Sequence, residues 1–222
     1  NVLEVLIRVQ APVSTDAVHR PRGPLNLSLV IDRSGSMSGR PLAEAKRCAE
    51  FVIDQLTPRD TVSVVAYGDQ VETLVEARPL DERERVRRAI RAISEGGSTD
   101  LYGGWRRGAD TLGPLASPHA MSRVMLLSDG CANRGVTDLH EIAAQCRALA
   151  ERGVTTSTYG LGRDFNESLM IAMAEAGGGN SYYGQTAEDL MDPFREEFAL
   201  LNALFARKLE LRLELAGGGS LE

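Results

Sequence analysis

Three cysteines, three histidines, one tryptophan and only two lysines are spread over 222 residues, and each scarcity removes a class of function. Cys48, Cys131 and Cys146 make neither a CxxC pair nor an even disulfide set, so a thiolate metal cage and a disulfide framework are both excluded, and a reducing compartment suits them. His19, His119 and His140 stand apart, in an N-terminal loop, a proline-flanked loop and a helical pattern, so no histidine has zinc-ligand spacing. No apolar run approaches the roughly 20 residues of a membrane span. Acidic residues (31) outnumber basic ones (25) for a net charge of −6, which leaves no broad cationic face for a phosphate backbone and argues against nucleic acid as a partner. Nearly all the cations are Arg, a bias of genome composition rather than of binding chemistry.

What is present is an alternation of short apolar strands and longer helical patterns. LNLSLVI (25–31) reads as the first strand. RPLAEAKRCAEFVIDQL (40–56) follows, with Pro41 near its start and Leu42, Ala45, Ala49, Val52, Ile53 and Leu56 at helical spacing. TVSVVAYG (61–68) and VETLVEAR (71–78) are joined through Gly68-Asp69-Gln70, too short for a helical crossover, so they form a hairpin with one antiparallel edge strand. DERERVRRAIRAI (81–93) is a charged surface helix. STDLYGGWRRGADTL (98–112) reads as a helix, with Ser98, Thr99 and Asp100 supplying capping oxygens and Gly103 and Gly104 suited to close contact with a sheet.

MSRVMLLSDG (121–130) is the next strand, and the alternation continues with a helix at 138–153, a strand at 154–162, a helix at 166–177, a short strand at 180–184 and a helix at 186–204 that contains Pro193. The fold class expected is α/β: a doubly wound, mostly parallel six-stranded sheet with one antiparallel edge strand and helices on both faces. VLEVLIRV (2–9) and RKLELRLEL (207–215) alternate like strands. Residues 1–23 are therefore expected to form an N-terminal β extension and residues 206–222 a C-terminal β extension and linker. The chain starts at Asn1 with no initiator Met and no signal peptide, so it is expected to be a piece of something longer. Localisation stays open, with bacterial cytoplasm favoured over envelope or secretion.

In an open parallel sheet, ligands bind beyond the carboxyl ends of the strands, where strand order reverses. Two strands end in oxygen-bearing residues: LVIDRSGSMSG (29–39) and LLSDG (126–130). If they are neighbours, Asp32, Ser34 and Ser36 converge with Ser128, Asp129 and Gly130, and the loop at Gly96–Thr99 is the natural third contributor. Hydroxyls and carboxylates are hard donors, suited to Mg²⁺ and, as alternatives, Mn²⁺ or Ca²⁺. A polar turn leading into a helix cap is the plainer reading of DRSGSM alone. Ser38, just ahead of the helix at Arg40, is expected to be such a cap and not a ligand.

DRSGSM (32–37), GGSTD (96–100) and LLSDG (126–130) together resemble the von Willebrand factor A-domain family and its metal-ion-dependent adhesion site. The likeness extends through GLGRDFNESL and GGGNSYY, covering about residues 24–205. The resemblance implies that Asp32, Ser34, Ser36, Thr99 and Asp129 surround a divalent cation, with the two carboxylates acting largely through water. The cation then keeps enough positive charge to attract a carboxylate from outside.

The function expected is a metal-dependent protein-binding module in which a partner's Asp or Glu completes the coordination. Arg33, Met37, Asp100, Tyr102 and Cys131 are candidates for the rim that meets the partner. A scaffold or regulatory subunit with a purely structural metal, and a Mg²⁺-dependent hydrolase, are the alternatives. The hydrolase is poorly supported: there is no GxxxxGK[ST] loop, and Met37 stands where a GxSxG elbow needs Ser. The protein is expected not to be an enzyme.

Overall fold

All eight residues of the strand Leu25–Asp32 (β1) are buried, the burial expected of a parallel strand covered on both faces. The computed structural model describes residues 23–117, 119–161 and 166–203, and Gly23–Phe198 forms one compact unit. Apart from Gly23, the β extensions expected at 1–23 and 206–222 lie outside the described residues.

Six strands follow the sequence alternation closely. After β1 come β2 (Thr61–Tyr67), β3 (Val71–Pro79), β4 (Met121–Ser128), β5 (Val154–Leu161) and β6 (Ser181–Gly184). They are ordered β3-β2-β1-β4-β5-β6, and every pair is parallel except β2 with β3. The hairpin tip closes where the Gly68 N–H donates to the Gln70 carbonyl at 3.1 Å. The chain winds outward from β1 through β2 to β3 and then returns to β4 on the other side of β1. This is the reversal point, and Ile31 lies in register with Leu127 there. Both polar strand ends therefore leave the sheet side by side.

The helices are α1 (Arg40–Gln55), α2 (Arg83–Arg91), α3 (Leu101–Leu112), α4 (Leu139–Glu151), α5 (Glu167–Ala176) and α6 (Ala187–Ala203). One face of the sheet carries α3, α4 and α5 over a core that includes Val30, Val65, Trp105, Leu126, Ile142 and Met170. On the other face α1 packs on α2, and Phe194 of α6 stacks on Tyr159 of β5 with ring centroids 4.1 Å apart. Pro193 lies inside α6 and removes one backbone donor; the Phe194 stack beside it anchors the helix at that turn.

Two glycines of α3 set its distance from the sheet. A Cβ at Gly104 would overlap the Tyr67 ring, and one at Gly108 would overlap the Val30 side chain. Gly103, expected to share this role, instead leaves room for the Asp100 carboxylate, which caps α3 by accepting from the Gly103 N–H at 2.9 Å. Overpacking at such a contact costs about 1–3 kcal/mol. Gly104→Ala is expected to lower the melting temperature by roughly 2–12 °C; an unchanged melting curve would show that the contact is slack.

Candidate metal centre

Three loops meet beyond the carboxyl ends of β1 and β4, and backbone hydrogen bonds join them directly. The Arg33 N–H donates to the Tyr67 carbonyl at 2.8 Å, and the Arg33 carbonyl accepts from Gly96 at 2.8 Å. Gly35 donates to the Gly97 carbonyl at 3.1 Å. Thr99 is clamped from both sides: its N–H donates to Asn133 Oδ1 at 2.8 Å, and its carbonyl accepts from the Asn133 and Arg134 N–H groups at 3.2 Å each. The Asp129 carbonyl accepts from Asn166 at 2.9 Å, which ties the third loop to the start of α5.

The five candidate ligands form a graded set from buried to exposed. Asp32, Ser34, Thr99 and Asp129 are buried, whereas Ser36 is exposed. Ser34 Oγ and Ser36 Oγ lie 3.1 Å apart. A single turn of 3-10 helix at Gly35–Met37 brings these two hydroxyls together. Asp129 Oδ1 accepts the Cys131 N–H at 3.0 Å, an Asx-type turn that fixes its carboxylate.

Asp32 is the most constrained member. Its Oδ1 accepts the Ser34 N–H at 2.8 Å, and its Oδ2 accepts Ser128 Oγ at 2.6 Å and the Tyr67 hydroxyl at 3.2 Å. Burial raises the Asp32 pKa above the ordinary carboxylate range; the Ser128 and Ser34 hydrogen bonds oppose this, and the nearby Asp129 charge adds to it. Among the described residues, the donors bonded to this carboxylate are neutral: one backbone N–H and two hydroxyls. Burial also pushes the Tyr67 phenol well above its ordinary value, so it is present as a donor.

This donor set fits a hard divalent cation. It offers two carboxylates and three hydroxyls with no imidazole or thiolate, the hard oxygen donors that such a cation takes. Among the described residues no group of three or more His, Cys, Asp and Glu side chains is arranged to hold a metal, which excludes zinc-type cages there and leaves the mixed hydroxyl–carboxylate set as the candidate.

The rim residues are placed unevenly. Met37 is fully buried: the 3-10 turn folds it inward, so it offers no contact surface. Arg33 Nη2 pairs with Glu72 Oε1 at 2.7 Å. Asp100 is committed to capping α3. Tyr102 is half-buried and packs on Trp105, ring centroids 5.9 Å apart, and Cys131 is half-buried at the third loop.

Ser38 does not cap α1. The N-cap is Gly39 at φ +75°, whose N–H donates to Glu95 Oε2 at 3.0 Å, and the Ser38 hydroxyl also bonds Glu95, holding its carboxyl below the usual range. Tyr67, Asn133 and Arg134 reach the site without standing out in the sequence. A buried phenol needs a partner, and Tyr67 ends an aliphatic strand in register with Asp32. That pairing is set by the sheet and is not marked in the sequence.

A model of the von Willebrand factor type A domain matches residues 26–196, which spans the whole sheet and all three loops. The chain belongs to the von Willebrand factor type A domain family. It is 29% identical over 202 residues to the uncharacterized protein sll0103 of Synechocystis, covering 89% of this chain but 46% of that protein; the domain thus spans less than half of that relative's length. Among solved structures it is similar to BatB from Bacteroides thetaiotaomicron, at TM-score 0.68 and 16% identity over 81% of this chain and 98% of that one. A second likeness is to proximal thread matrix protein 1 from the mussel byssus, solved with a zinc-occupied adhesion-site motif. That match has TM-score 0.61 and 20% identity over 82% of this chain and 46% of the other.

The cysteines of this von Willebrand factor A domain differ sharply in reach. Burial pushes the Cys48 and Cys146 thiols up to about 12, so neither is a thiolate at neutral pH. A thiol reagent at pH 8 is expected to label Cys131 alone in the native protein and all three on unfolding. Rapid native labelling of two or three thiols would contradict this packing.

Proposed function

We propose that this domain is a divalent-cation-dependent protein-binding module. Asp32, Ser34, Ser36, Thr99 and Asp129 would hold Mg²⁺, with Mn²⁺ or Ca²⁺ as alternatives, and an Asp or Glu of the partner protein would complete the set. The observation that carries this reading is the pair of Ser34 and Ser36 hydroxyls, 3.1 Å apart, beside the buried carboxylate Asp32, whose Oδ1 accepts the Ser34 N–H at 2.8 Å. The cation would supply positive charge toward an incoming carboxylate. Ser34 and Ser36 offer neutral oxygens, which leave that charge largely unspent, while Asp32 and Asp129 balance it from beneath.

A purely structural metal is less well supported, because the three loops are already joined by direct hydrogen bonds through Arg33, Gly35 and Thr99. Hydrolysis is poorly supported by placement. His119 lies beside Gly23, at the start of β1 and so at the opposite end of the sheet, and His140 is exposed on the first turn of α4.

Calorimetric titration of Mg²⁺ into wild type and Ser34→Ala, followed by partner capture with and without EDTA, tests the reading. Mg²⁺ binding that Ser34→Ala weakens, with capture lost in EDTA, is the expected result. Capture abolished by EDTA yet unaffected by Ser34→Ala would place the metal-dependent surface elsewhere.

A further inference from the structure

Thr99 enters the candidate site from a loop that does little by itself to fix it. Two glycines at positive φ, Gly96 (154°) and Gly97 (86°), come just before it, and glycine has more backbone freedom to lose than any other residue. Both backbone groups of Thr99 are held instead by the loop that follows β4. The Thr99 N–H donates to Asn133 Oδ1 at 2.8 Å, and its carbonyl accepts the Asn133 and Arg134 N–H groups at 3.2 Å each. Only the oxygen of an Asn amide accepts a hydrogen bond, so this contact also sets which way the amide faces. Arg134 braces the arrangement from its far side, its Nη1 donating to the Asp69 carbonyl at the hairpin tip at 2.8 Å. Asn133 is exposed and Thr99 is buried, so a surface side chain holds the backbone of a buried one 34 residues away.

We propose that Asn133 is a positioning residue for the cation: it sets where the Thr99 hydroxyl stands and does not touch the ion itself. This rests on the metal-site reading above. A threonine side chain is β-branched and stiff at χ1, so a fixed backbone also restricts its hydroxyl. A site that is competent only part of the time binds with an affinity reduced by that fraction, and Asn133 keeps the Thr99 loop in one place before an ion arrives. Without the amide oxygen the Thr99 N–H loses its acceptor, and the two glycines let the loop sample other positions. The bonds from the Asn133 and Arg134 N–H groups to the Thr99 carbonyl belong to the backbone and survive a change of side chain, so the loss falls on metal affinity more than on the fold. The same loop carries Asp129, whose Oδ1 accepts the Cys131 N–H at 3.0 Å. Thr99 and Asp129 are thereby placed as one unit.

The test is calorimetric titration of Mg²⁺ into wild type, Asn133→Ala, Thr99→Ala and the double variant, with the melting temperature of each metal-free protein recorded alongside. Groups that hold metal ligands from behind commonly change metal affinity about 10–100-fold when removed. Asn133→Ala is expected to raise the Mg²⁺ dissociation constant about tenfold, with the metal-free melting temperature lowered by no more than a few degrees. On top of Thr99→Ala the same substitution is expected to change the dissociation constant by about twofold or less, because no hydroxyl is left to place and the two losses are then not additive. An unchanged dissociation constant in Asn133→Ala, or a full tenfold loss repeated on top of Thr99→Ala, would overturn the role of Asn133 and leave the metal site standing. Wild type that binds no Mg²⁺ would overturn the metal reading itself.

Discussion

Glu197→Ala is expected to lower the melting temperature by roughly 6–20 °C, the largest loss of stability foreseen for a single substitution in this domain. Glu197 lies on α6 with no exposed surface. One carboxylate oxygen takes the Arg123 guanidinium of β4 and Ser157 Oγ of β5 at 2.8 Å; the other takes the Tyr159 hydroxyl. Truncation leaves a nearly buried arginine without its counter-ion and two buried hydroxyls without an acceptor. Breaking one side of a buried pair in this way costs about 3–5 kcal/mol. Replacing both members with apolar residues, Arg123→Met with Glu197→Leu, is expected to recover part of the loss, since the stranded charge is then gone. Equal melting temperatures for wild type and Glu197→Ala would mean that Arg123 finds another partner or solvent.

Asp32→Ala is expected to abolish the stabilisation that Mg²⁺ gives the wild-type protein. At a free Mg²⁺ concentration of 100 times the dissociation constant, binding to the native state contributes about 2.7 kcal/mol, or a rise of roughly 5–11 °C. In the proposed site Asp32 would supply half the carboxylate charge, and it holds Ser34 in place by accepting its N–H, so removing it would take away one proposed ligand and misplace another. A thermal melt of both proteins with and without Mg²⁺ reads this directly. A rise in Asp32→Ala equal to that of wild type would mean that the ion binds elsewhere.

Much of the architecture is legible in hydrophobic periodicity, because strands and helices here are long and cleanly separated. The hairpin at Gly68-Asp69-Gln70 follows from connection length, whereas the adjacency of β1 and β4 was the condition on which the polar strand ends would converge, and the sheet order meets it. What escaped is tertiary. Tyr67 meets Asp32 across 35 residues of sequence and Glu197 meets Arg123 across 74, and nothing local marks either contact. Glu197 in particular reads as part of a polar helical face. Ser38 looked like a helix cap because serine favours that role, but Gly39 turns the chain with positive φ and Glu95 takes its N–H. Met37 looked like a rim residue only while the turn that folds it inward was unknown. In α3, a close helix–sheet contact was legible, but which glycine faces the sheet depended on where the helix begins: Gly104 and Gly108 do, and Gly103 serves the cap.

The most direct measurement is an anomalous difference map from crystals of the domain grown with Mn²⁺ in place of Mg²⁺. The expected result is one strong peak bounded by Ser34, Ser36, Thr99 and the two carboxylates Asp32 and Asp129. A map with no peak there at saturating Mn²⁺, or with its strongest peak on another surface, would contradict a cation centre at the carboxyl ends of β1 and β4.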